Sequence, residues 1–129
     1  MPKLALPLAA PLALCLLLNA GQVWAHADHL KPEFGGITAE AEVFQVELVV
    51  KGAQIILYLS EHGAPVETAG ASGKLLLLAG KAKEEVALTP SGFQTLSAKL
   101  KARPAKGVKA VATISVPGRD VGTARFTLK

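Results

Sequence analysis

A chain of 129 residues with 14 basic and 10 acidic side chains, one cysteine and 5% aromatics has room for one small domain, and it lacks the cysteines for a disulfide framework. The net charge of +4 is mild. The lysines are scattered along the sequence without interleaved aromatics, which gives no nucleic-acid footprint.

Residues 1–25 read as a signal peptide, with Lys3, an apolar run through Leu18 broken by Pro7 and Pro11, and small residues ending at Ala25. The run is too short and too interrupted for a membrane span, which needs about 20 apolar residues. Val23 and Ala25 fit cleavage before His26, the expected cut, while Ala25 and Ala27 fit cleavage before Asp28. Cys15 lies between Leu14 and Leu16, where a lipid-anchor site would want a small residue before it, so no anchor is expected. Cleavage after Ala25 leaves 104 residues, 13 of them basic and 10 acidic, with no Cys, Met or Trp.

The segment 26–34, "HADHLKPEF", concentrates polar donors. His26, Asp28, His29 and Glu33, together with His62 downstream, are candidate metal ligands. Imidazole nitrogen and carboxylate oxygen suit Zn(II), Cu(II), Ni(II) or Co(II), whereas Cu(I) calls for sulfur that the cleaved chain would not contain. With His26 as first residue, its free amine and ring nitrogen form one chelate that favours Cu(II). The plainer reading makes this segment a solvated tail and places His62 in an ordinary turn within "SEHGAPV".

From Gly35 onward, Gly- and Pro-containing turn signals recur every eight to twelve residues, separated by short apolar runs. In "VFQVELVV", Phe44, Val46, Leu48 and Val50 share one face, with Gln45 and Glu47 on the other. "QIILYLS" follows across a Lys-Gly-Ala turn and alternates Ile55, Leu57 and Leu59 against Ile56 and Tyr58, which predicts a hairpin with the preceding run. "KLLLLAG" and "EEVALT" form a second predicted pair around Gly80. "FQTLSAKL" points Phe93, Leu96, Ala98 and Leu100 inward, with a break in alternation that suggests a bulge. "GVKAVATISV" alternates Val108, Ala110, Ala112, Ile114 and Val116, and "VGTARFTLK" turns Phe126 and Leu128 inward. No stretch carries a helical stripe. The expected fold is therefore an all-β, immunoglobulin-like β-sandwich of about seven strands spanning residues 35–129, without the immunoglobulin disulfide or its buried tryptophan.

Catalytic signatures are missing: there is no phosphate loop, nucleophile elbow or His-Glu-x-x-His. Ser60, Glu61 and His62 are adjacent, but neighbours on a strand point to opposite faces, so they make no nucleophile and base pair. The chain is not expected to be an enzyme. Glu40, Glu42 and Glu47 are weaker metal candidates, as carboxylates on the wet face of an edge strand.

The series "HADHLKPEFGG", "FQVELVVKG", "ILYLSEHGAPVETAGASGKLLL" and "GRDVGTARFTL" resembles small exported proteins encoded with bacterial heavy-metal efflux systems, and the N-terminal periplasmic extension of some efflux adaptor subunits. Those proteins carry a histidine before a Gly-Gly pair, a Phe-Glu-Leu-Val-like strand and a "Y-x-x-(D/E)-H-x-x-P-V" turn. Glu47, Leu48 and Val49 match the strand, and Tyr58, Glu61, His62, Pro65 and Val66 match the turn. Phe34 stands in the place of the first histidine, with His29 a few residues upstream. The resemblance adds Glu61 to the candidate ligands and implies a periplasmic protein that binds Cu(II) or Zn(II) and serves a heavy-metal efflux complex. No nucleic-acid partner is expected, nor any membrane contact once the leader is cleaved. The alternative is a docking module that binds an efflux or envelope partner without a metal of its own. A sugar or peptide binder is less favoured, because few aromatics are available for stacking.

Overall fold

A computed structural model describes residues 31–129. The leader and the candidate ligands His26, Asp28 and His29 lie outside the described residues. The described chain is all-β: β1 (Ile37–Ala41), β2 (Phe44–Lys51), β3 (Gln54–Glu61), β4 (Ala64–Pro65), β5 (Ser72–Ala79), β6 (Ala82–Gly92), β7 (Thr95–Lys99), β8 (Lys109–Ser115) and β9 (Gly122–Thr127).

The strands pair antiparallel in the order β1-β2-β3-β7-β6-β5-β8-β9, with β4 attached to β3. β6 joins the two halves, because Ala82–Leu88 pair with β5 whereas Thr89, Pro90 and Gly92 pair with β7. The ladder slips a register between Pro90 and Gly92, at a proline that could not donate to it. β1 packs back against β9, and the Thr123 amide donates to the Glu42 carboxylate at 3.0 Å, so the sheet nearly closes into a barrel.

This differs from the expected immunoglobulin-like sandwich, in which two sheets stay separate. All seven predicted strands are present. The additional two are β1, whose "ITAEA" is too short and mixed to announce itself, and the two-residue β4.

Alternation puts an apolar row of β2, β3, β5, β8 and β9 inside, whereas β6, the longest strand, buries only Leu88. Phe44, Val46 and Leu48 of β2, Ile55, Leu57 and Leu59 of β3, and Leu75 and Leu77 of β5 are buried. They meet Ala110, Ala112 and Ile114 of β8 with Ala124 and Phe126 of β9. The uniform leucine run thus resolves by register, with Leu76 and Leu78 only half-buried. Two inward assignments change. Val50 is only partly buried at the end of β2, and Phe93 is 63% exposed because it sits in the β6–β7 turn, outside the alternation of either strand. Buried Thr68 fastens the connection before β5 to that turn, its amide donating to the Phe93 carbonyl at 2.8 Å and its hydroxyl to the Gly92 carbonyl at 2.7 Å.

Val46 is 1% exposed, so Val46→Asp places a charge among aliphatic side chains with no partner. We expect a loss of at least about 3 kcal/mol in a denaturant titration. A variant that melts with the parent would mean that β2 is turned by one residue.

Candidate functional site

The outer faces of β1, β2, β3 and β7 carry a cross-strand row in which Thr38 lies opposite Glu47, Glu47 opposite Tyr58 and Tyr58 opposite Thr95. Strand periodicity puts Glu47 on the wet side, and that expectation fails: Glu47 is 6% exposed, and β2 lies inside the sheet, flanked by β1 and β3. The cover is the chain just before β1. Residues 33–36 fold back over the row as a strap, and three of their amides donate to the Glu47 carboxylate. Glu33 N reaches Oε1 at 2.7 Å, while Phe34 N and Gly36 N reach Oε2 at 2.8 and 2.7 Å.

A buried carboxylate is costly unless its lone pairs are filled, and charge-assisted bonds from the three strap amides fill them. The strap must also pass tight against β2. A Cβ on Gly36 would collide with the Leu48 carbonyl, so this position admits only glycine. The Phe34 ring then lies flat on Tyr58, with centroids 3.9 Å apart and planes at 9°. In the sequence, Gly35-Gly36 announces a turn, and Glu47 is an acid in an apolar strand. Neither residue signals that the two are partners.

The strap and sheet enclose a cleft of about 300 Å³ lined by Lys31, Glu33 and Phe34 on one side, by Gln45, Tyr58 and Ser60 on the sheet, and by Gly63 of the next turn. That turn links β3 to β4. Glu61 pairs with Ala64, and both central residues have positive φ, 51° at His62 and 84° at Gly63, the conformation of a type I′ hairpin. The His62 amide donates to Gln45 Oε1 at 3.2 Å, which ties the turn to β2. Glu61 is taken by Arg119 from the β8–β9 connection, Nη1 to Oε1 at 2.6 Å. With these side chains 31% and 39% exposed, the pair contributes little to stability.

Of the sequence-derived candidates among the described residues, Glu33 lines the cleft, His62 forms the turn beside it, and Glu61 is engaged by Arg119. Among the described residues, no group of three or more His, Cys, Asp or Glu side chains is placed to hold a metal ion. Compared with protein-family models, curated proteins and solved structures, the chain gives no match.

Replacing Glu47 by Gln keeps the shape but puts an amide NH2 among N–H donors. The expected cost is about 1–3 kcal/mol, with faster hydrogen exchange at Phe34 and Gly36 and a weaker near-ultraviolet band from Tyr58, the sole tyrosine. Unchanged exchange at both amides would show that other contacts hold the strap.

Proposed function

We propose that the chain is an exported, non-enzymatic periplasmic protein that binds a divalent transition metal, Cu(II) or Zn(II), in the service of heavy-metal efflux. The supporting observation is the strap. It ties the residues that directly follow His26, Asp28 and His29 to the sheet, in a cleft whose other wall includes Gly63 of the His62 turn. His29 is four residues from Glu33, a chain span of at most about 14 Å.

Glu47 is committed to the strap amides and Glu61 to Arg119. The donors proposed on their chemistry are the imidazoles of His26, His29 and His62, with the carboxylates of Asp28 and Glu33. Nitrogen and oxygen donors without sulfur suit Cu(II) and Zn(II). Phe34 occupies the place where the resembling proteins carry a histidine, and its ring lines the same cleft.

Calorimetric titration, with the N-terminus fixed by intact mass, tests this reading. One saturable equivalent of Cu(II) or Zn(II) is expected, with affinity lowered at least about tenfold by His26→Ala, His29→Ala or His62→Ala. Affinity should weaken as the pH is lowered, because the metal must displace protons from imidazole. An extra residue before His26 should weaken Cu(II) far more than Zn(II), since it removes the amine–imidazole chelate. Phe34→His should strengthen binding by supplying a further imidazole. Absence of saturable binding, or equal binding in every variant, would overturn the metal reading in favour of a docking module.

A further inference from the structure

Hairpin topology sorts the charges of this barrel to opposite ends. The β2–β3 turn brings Lys51, and the β5–β6 turn brings Lys81 with Lys83 beside it. Lys99 pairs with Gln54 next to the first of these turns, and Lys109 shares Leu78 as a register partner with Lys83. The connection from β7 to β8 closes the same end. It carries Lys101, Arg103 and Lys106, with the Leu100 amide bonded to the Ala53 carbonyl and the Gly107 amide to the Leu128 carbonyl, next to Lys129. All nine cations are exposed. Two acids flank them along β6: Glu84, whose carboxylate accepts the Lys101 amide at 3.2 Å, and Glu85, farther from the turn. The other end holds Glu42, Glu61, Glu67 and Asp120 on its turns, where Arg119 is paired with Glu61.

We propose that the lysine-rich end is an adsorption face for an anionic membrane surface, engaging lipid phosphates electrostatically without insertion. Three features select this partner. Eight of the nine cations are lysines, strongly hydrated point charges suited to a diffuse anionic layer; arginine is the residue that protein interfaces favour for fixed ion pairs. The large exposed apolar side chains among the described residues are Phe34, Phe93 and Val121, none of them at this end, so nothing there penetrates the acyl region. No aromatic accompanies the lysines to stack on bases, as single-stranded nucleic acid would require. Near such a surface each lysine contributes about fivefold in affinity, and the effect decays within a Debye length, about 10 Å at 0.1 M salt. The expectation of no membrane contact concerned the cleaved leader and the lack of a lipid anchor, and peripheral adsorption needs neither. Adsorption on this face orients the barrel so that the β3–β4 turn points away from the bilayer.

Vesicle flotation provides the test. The purified protein should float at low salt with vesicles containing about one-third phosphatidylglycerol, stay behind with pure phosphatidylcholine, and be released by salt. The exposed-site variant Lys81→Gln, Lys83→Gln, Lys101→Gln, Arg103→Gln should lose several hundred-fold in affinity. Lys74→Gln with Arg125→Gln, on the barrel wall, should lose far less. The proposal is overturned if the two vesicle types are bound equally, if anionic vesicles are not bound at low salt, or if the four-site and wall variants lose the same amount. Tighter binding to duplex DNA or polyglutamate than to vesicles, at matched charge and ionic strength, would also overturn it and assign the face to that class of partner.

Discussion

The Glu47 carboxylate, filled by three amides of the preceding strap, is the constraint on which the organisation of this molecule turns. A charge in the middle of an apolar strand would oppose folding if it were buried without partners. Here it converts the outer face of β2 into a second, polar interior. The strap is fixed at both oxygens, Phe34 is set on Tyr58, and the chain is delivered into β1 in register with β2. Because the interaction spans residues 33 to 47, it couples the start of the described fold to a central strand, and the cleft beside it exists only while the strap is held.

Closure of the barrel follows from a different economy of contacts. β6 is long enough to pair with β5 over its first part and with β7 over its last, so no strand has to cross between separate sheets. The slip at Pro90 bends it at the one place where the ladder can lose a donor without loss. β1 and β9 then face each other, with the Glu42 carboxylate on the Thr123 amide where a strand–strand bond is missing. In a chain whose described residues contain no cysteine, closure of this kind limits exposed sheet edge without a covalent staple.

The same topology explains the polarity of the surface. Because every pair of neighbouring strands is antiparallel, successive turns fall on opposite ends, so residues dispersed through the sequence become neighbours if they occupy turns at the same end. Lys51, Lys81 and Lys101 lie 30 and 20 residues apart in the chain, yet the β2–β3 turn, the β5–β6 turn and the β7–β8 connection bring them to one end. The acids follow the complementary rule at Glu42, Glu61 and Asp120, around the end that carries the His62 turn. An electrostatic dipole of this sort cannot be read from net charge, because it cancels in the sum.

The sequence by itself determined seven of the nine strands and the apolar face of most of them. Period-2 alternation fixed which side of β2, β3, β8 and β9 is apolar, and Gly52 and Gly80 fixed two hairpins, because those signals depend only on neighbours along the chain. It also located Gly35-Gly36 and the histidine turn. Tertiary structure alone decided the rest. Phe93 is outside because the turn ends the alternation one residue early. Glu47 is inside because a segment more than ten residues away covers it, and a carboxylate on a strand looks the same in sequence whether water or three amides fill its lone pairs. The closed path and the gathering of lysines at one end likewise depend on which strands pair over long separations, a choice set by the packing of the whole core and not by any local run of residues.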